Sequence, residues 1–167
     1  MRKYFCAGCF VIGGFALSLF SCSESEKDIV KSKSIIEIIS SNPEFTTLKS
    51  IIQYAGMSDT LAIGTFTMFA PSNSALEKIK ISDASTILRM PKDSVKWFVK
   101  YHLLGKQLNY SGFEKGQLTN INKQTIAVTK DAENSDILIN LNRVVTKDVS
   151  ASNGLIQVID SVLIKIK

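Results

Sequence analysis

The sequence predicts a single α+β domain, on three observations. Apolar residues recur at helical spacing through the first half of the chain. The second half alternates with a period of two between turn signals. Helices gathered first and strands later indicate α+β, not a parallel α/β sheet. At 167 residues, with 45% hydrophobic and 21% charged, the chain has the composition of one folded unit plus an appendage. Wholesale disorder and large multidomain architectures are excluded.

The appendage is N-terminal. Met1-Arg2-Lys3 precedes an uncharged apolar run from Tyr4 to Phe20, and the composition then changes to Ser23-Glu24-Ser25-Glu26-Lys27-Asp28. A positive start followed by an apolar run is an export signal. Leu19-Phe20-Ser21-Cys22 resembles the processing site of bacterial lipoproteins. That resemblance implies a signal peptide over 1–21 and a diacylated Cys22 as the first mature residue. It further implies a polar tether over 22–33 and a folded domain over 34–167. The alternative is an uncleaved anchor, since Tyr4 to Ser21 falls within the ~17–25 residues that span a bilayer. Acyl chains on Cys22 would hold the protein on the membrane. The acidic tract after Cys22 resembles the surface-export tracts of one group of lipoproteins. The expected location is therefore the cell envelope, in the outer membrane and exposed at the surface, with an ordinary solvated linker as the alternative reading of that tract.

Removal of the signal takes Arg2 and Lys3, which lowers the basic count from 20 to 18 against 15 acidic residues, or +3. These charges are dispersed and no aromatic stripe interleaves them, so nucleic acid is not an expected partner. Cys6 and Cys9 leave with the signal and Cys22 carries lipid. The domain then has no thiol for catalysis, disulfide or metal. With His102 as the one histidine, no metal site and no cofactor are expected.

Each element of the domain has its own signal. Ser34-Ile35-Ile36-Glu37 has capping-box form. Asn42-Pro43 stops that helix and opens the next, whose Phe45, Leu48, Ile51, Ile52 and Ala55 share one face before Gly56. A further helical turn is expected around Asp59 to Ala62. Phe66 to Ala70 is short and β-prone, a buried strand, and Ser72 then caps a helix through Asn73 to Ile79. Asp83 is expected to cap a short helix through Leu88. Pro91 opens a longer one carrying Val95, Phe98 and Val99, with Trp97 beside them. Both Trp97 and Phe98 are expected in the core, the alternative being a sugar-stacking platform, which exposure of Trp97 beside Tyr101 would favour. Leu118 to Ile121 and Thr125 to Thr129 form a hairpin around Asn122-Lys123. Ile137 to Leu141 and Arg143 to Lys147 follow. Asn153-Gly154 predicts a type I′ turn, and Leu155 to Ile166 reads as one long strand.

Three stretches, taken in order, resemble the fasciclin domain. They are Phe66-Thr67-Met68-Phe69-Ala70-Pro71-Ser72-Asn73-Ser74-Ala75-Leu76, the Tyr101-His102 pair, and the run from Ala151 through Asn153-Gly154 and Asp160 to Leu163. The resemblance covers residues 34–166. It implies a β wedge or sandwich packed with several short helices, and a non-catalytic adhesion or extracellular interaction module with a protein or glycan partner. It also carries a receptor-contact role onto Tyr101 and His102. From the residues alone, His102 is instead a buried imidazole at a helix end, because Leu103 and Leu104 follow it. Asp160, inside an apolar strand, is expected to be buried and to tie that strand to the Pro71-Ser72-Asn73 turn. Gln157 stands where the closing signature carries histidine, and Leu141-Asn142 where Asn-Gly is common; both are expected to affect a local surface or turn. The other functional class is a periplasm-facing lipoprotein that binds a small molecule, lipid or envelope glycan. The sequence names neither ligand nor oligomeric state. A hydrolase is disfavoured because nothing resembles a Gly-x-Ser-x-Gly elbow.

Overall fold

The computed structural model describes residues 32–81, 85–133 and 135–164. The expected signal peptide, Cys22, most of the expected tether, the expected Asp83 cap and Ile166 lie outside them. Helix α1 (Ile35–Ser41) starts at the expected capping box: the Ser34 amide donates to Glu37 Oε2 at 2.7 Å, and the Glu37 amide donates back to Ser34 Oγ at 3.4 Å. Asn42 then accepts from the Glu44 amide, and Pro43 opens a 3-10 turn (Pro43–Phe45) leading into α2 (Thr46–Ala55). Gly56, at φ 68°, ends α2 in the left-handed conformation that a glycine adopts without steric cost. Helices α3 (Ser58–Ile63), α4 (Asn73–Glu77), α5 (Ser85–Leu88) and α6 (Lys92–Tyr101) follow, with a second 3-10 turn at Tyr110–Gly112.

Seven strands form one sheet: β1 (Phe66–Pro71), β2 (Leu103–Leu104), β3 (Gly116–Thr119), β4 (Thr125–Lys130), β5 (Ile137–Ile139), β6 (Asn142–Ala151) and β7 (Gly154–Ile159). Their order is β2-β1-β7-β6-β5-β4-β3. Strands β1 and β7 pair in parallel, Phe66 opposite Gly154 through Pro71 opposite Ile159, and every other pair is antiparallel. The Ile121 amide donates to the Leu103 carbonyl at 3.0 Å, so the chain after β3 returns to β2 and the sheet closes into a wedge.

Two apolar clusters share the central strands. Met68, Ala70, Ile156 and Val158 face the helices, where they meet Ile35, Leu48, Ile52, Val95 and Val99. Phe69 and Ile159 point into the wedge with Leu104, Phe113, Ile126, Val128 and Ile139. Alternation along β1 and β7 thus feeds both cores, which is why these two strands read as nearly continuous apolar runs.

Three expectations are corrected. Strand β7 stops at Ile159 and does not continue to Ile166; Asp160 and Ser161 bend the chain, and the Leu163 amide is bonded to His102 instead of a neighbouring strand. Asn153-Gly154 is not a type I′ turn. The two loop residues between β6 and β7 are Ser152 and Asn153, and neither has positive φ. Gly154 is required for another reason: a Cβ there would run into the Phe66 backbone carbonyl of the parallel neighbour. The turn with positive φ at both central residues is Asn140-Leu141 (47° and 67°), between Ile139 and Asn142. Gln157 is also not at a surface or turn. It is fully buried in β7.

Candidate interaction surface

The signature residues work as internal ties. Ser72 caps α4, its Oγ accepting from the Ala75 amide at 3.2 Å. Asn73 reaches back to the start of α2, accepting from the Thr47 amide and donating to the Pro43 carbonyl and Thr46 Oγ1. Phe69, Ala70 and Pro71 are buried in β1. Asn153 accepts from the Ile35 amide at 2.9 Å and donates to the carbonyls of Leu61 and Gly64 at 2.8 and 2.7 Å. One amide side chain thereby joins the β6–β7 loop to the start of α1 and the end of α3.

Asp160 departs from expectation. It is part-exposed, and its carboxylate accepts from the Arg143 amide at 2.9 Å, with Lys78 Nζ 3.9 Å away. It ties the end of β7 to the start of β6 and to α4, not to the Pro71-Ser72-Asn73 turn. The strand had already ended there, so the apolar alternation around Asp160 did not imply burial.

Tyr101 and His102 are both 1% exposed, so neither presents a surface that a receptor could touch in this conformation. The Tyr101 hydroxyl donates to the Thr125 carbonyl at 3.2 Å and lies 3.1 Å from Asn140 Nδ2, which donates to it. His102 Nδ1 lies 2.8 Å from the Phe98 carbonyl and Nε2 lies 3.0 Å from the Leu163 amide nitrogen. A carbonyl only accepts and an amide only donates, so the proton sits on Nδ1 and the ring is neutral. Burial pushes its pKa down to about 4, against the Phe98 carbonyl, which favours the protonated ring. Both nitrogens are engaged, and neither is available as a catalytic base. The buried Asn120 and Asn140 are ties of the same kind that the sequence reading missed. Asn120 Oδ1 accepts the amides of Asn122 and Gln124, each at 2.9 Å.

The exposed chemistry lies on α6. Val95 and Val99 hold this helix to the core, while Trp97, expected in the core, is 44% exposed. Its indole stacks on Tyr101, with ring centroids 5.0 Å apart and planes 18° apart. Its backbone carbonyl accepts from Asn122 Nδ2 at 2.9 Å. Phe98, half-buried, packs against the His102 ring. Two surface depressions share Trp97 and Asp93: one of about 480 Å³ with Met90, Ser94 and Phe98, and one of about 300 Å³ with Lys96, Lys100 and Asn122. A third cleft, of about 580 Å³, lies beside Ser72 and Asn73 and is lined also by Glu44, Glu77 and Val145. No cluster of metal-ligating side chains occurs among the described residues.

The fasciclin domain family model matches residues 43–165, most of the chain. The chain belongs to the fasciclin family. Protein sll1483 of Synechocystis sp. is 27% identical over 165 residues, 93% of this chain and 90% of its own. Periostin of Homo sapiens is 30% identical over 142 residues, 82% of this chain but 17% of periostin, so this chain spans a small part of that longer relative. Among solved structures, a FAS1 domain pair from the insect cell adhesion molecule fasciclin I matches with a TM-score of 0.66 and 22% identity, over 81% of this chain and 52% of that one. The fold is therefore the fasciclin fold, a β wedge packed with short helices. In this fasciclin domain the family signatures at Phe69–Asn73, Tyr101-His102 and Asn153-Gly154 are scaffold, and Trp97 is the most exposed aromatic side chain among the described residues.

Proposed function

We propose that this fasciclin domain is a membrane-tethered, extracytoplasmic adhesion or interaction module that acts by non-covalent contact. The observation that carries the reading is the family match over residues 43–165. It is supported by the adhesion role named for the matching insect structure, and by the export pattern ending in Cys22. In this reading Cys22 carries the lipid and the tether spaces the domain from the membrane. The domain presents side chains on a scaffold whose signature residues Ser72, Asn73 and Asn153 are internally hydrogen-bonded. Many copies on one membrane would raise a weak contact to useful avidity.

Surface depressions that lie open to solvent favour contact with an extended partner over enclosure of a small molecule. The test is protease treatment of intact cells, with lysed cells as the control for cleavability and a periplasmic marker as the control for integrity. Digestion of the domain in intact cells, together with loss of membrane fractionation in Cys22→Ser, is expected. Protection in intact cells with cleavage after lysis would transfer the protein to the periplasmic, envelope-ligand class.

A further inference from the structure

We propose that the Trp97 face of α6 binds an acidic polysaccharide, the indole stacking on a pyranose ring while Lys96 and Lys100 pair with its uronate carboxylates. The proposal rests on the interaction-module reading and names the ligand of that module.

Trp97 is the chain's only tryptophan, and it is left 44% exposed while Tyr101, one turn further along the same helix, is 1% exposed. The indole is held in place. One face is stacked against Tyr101, which is itself fixed through its hydroxyl to Thr125 and Asn140, and the carbonyl of Trp97 is held by Asn122. The remaining accessible part is a flat, preorganised aromatic platform, which lowers the ordering cost of binding. An aromatic face carries partial negative charge and attracts the weakly positive C–H bonds on the flat side of a sugar ring.

The surroundings select the sugar. Lys92, Lys96 and Lys100 recur every four residues along α6, a spacing that places them on one side of the helix, and Asp93 is its only acidic residue. Lys96 and Lys100 line one depression beside the indole, and Met90 and Phe98 give the other an apolar lining. Asp93 borders both and supplies an acceptor for ring hydroxyls. A single stacking platform offers no row of aromatic faces for the successive bases of a nucleic-acid strand. An indole laid flat on Tyr101 is also poorly placed to insert into lipid.

The lone tryptophan makes the site report on itself. The full chain, reconstituted in neutral phosphatidylcholine vesicles, would be titrated with oligogalacturonate and oligoalginate while Trp97 emission is followed. Neutral dextran oligomers, polyglutamate and oligo-dT would be run in parallel, and the vesicles exchanged for phosphatidylglycerol. A saturable emission change with a uronate, weakened by salt and absent with dextran, is expected. Lys96→Ala/Lys100→Ala, which leaves the Tyr101 stack intact, should weaken binding about tenfold, as should Trp97→Ala measured by calorimetry. Unchanged melting of both variants would separate lost contact from lost fold. No saturable response to either uronate would overturn the proposal. Equal affinity for polyglutamate or oligo-dT would overturn it in favour of a general anion or nucleic-acid site, and a response only to anionic vesicles in favour of a membrane contact. Because the assay uses purified protein, failure here leaves the surface-display test untouched, and failure of display leaves this one standing.

Discussion

Gln157 and Asp148 hold each other across the irregular stretch of the β6–β7 pair. The Asp148 amide donates to Gln157 Oε1 at 3.0 Å, and Gln157 Nε2 donates to Asp148 Oδ1 at 2.7 Å. Asp148 has φ 54° and sits where the register between Thr146 and Val149 shifts, so the side-chain amide replaces the ladder bond that the bulge removes. The same carboxylate oxygen also accepts the Tyr110 amide. Gln157→Leu would keep the volume but leave the Asp148 amide without this partner. A loss of about 1–3 kcal/mol in urea unfolding is expected. A change within about 0.5 kcal/mol would mean that water restores the lost bonds.

Leu141 gives a prediction of opposite sign. It has φ 67° and is 68% exposed, at the second central position of the β5–β6 turn. A non-glycine residue in the left-handed region carries a cost of about 1–2 kcal/mol, partly offset because glycine is more flexible in the unfolded chain. Leu141→Gly should therefore stabilise the domain by roughly 0.5–1 kcal/mol. A lower thermal midpoint in the variant would show that the leucine makes a compensating contact.

Asn153 is the tie with the widest reach. Its three bonds join segments separated by 118, 92 and 89 residues. Asn153→Ala strands one amide and two carbonyls at the junction of α1, α3 and the β6–β7 loop. At about 1 kcal/mol per bond the expected loss is about 3 kcal/mol. Asn153→Asp can still accept from Ile35 but places a carboxylate against two carbonyls, so it should be no better than alanine. Denaturant midpoints of the two variants decide this, and an aspartate variant as stable as wild type would reject the assignment.

What the sequence disclosed follows the range of the interactions. The Ser34–Glu37 box, the Asn42-Pro43 junction and the Gly56 terminator are set within a few residues, and each occurs where it reads. The partners of Asn73, Asn140 and Asn153 lie elsewhere in the chain, and no local pattern exposes them. Asn153-Gly154 was misassigned because close approach of β1 and a tight turn both demand glycine. The exposure of Trp97 was nevertheless legible. Val95 and Val99 mark the buried stripe of α6, and a residue two positions from each lies on the opposite side of a helix with 3.6 residues per turn. Tyr101 would follow Trp97 outward on that argument, but it is buried because it stands at the helix end, against β4, which carries Thr125, and the β5–β6 turn, which carries Asn140.

His102 gives the domain a pH dependence with a definite sign. Its folded pKa of about 4 lies below the 6.5 of an ordinary histidine. Between those values the unfolded chain binds a proton that the folded chain does not, so stability falls as pH drops through the window. The loss accumulates to about 3 kcal/mol and levels off below the folded pKa. Structurally, a proton on Nε2 would remove the acceptor for the Leu163 amide and release the segment after β7 from α6. Carboxylates titrate in the same range, so the measurement is a difference between wild type and His102→Gln, in which their contributions cancel. At pH 7 the variant should be the less stable of the two, because it cannot reproduce both ring contacts. The gap should narrow by about 3 kcal/mol between pH 7 and pH 4 as wild type loses its advantage. A gap that stays constant over that range would mean that His102 titrates alike in the folded and unfolded chains, and a gap that widens would mean that the folded ring is already protonated at pH 7; either result would reject the assignment of a ring that burial holds neutral.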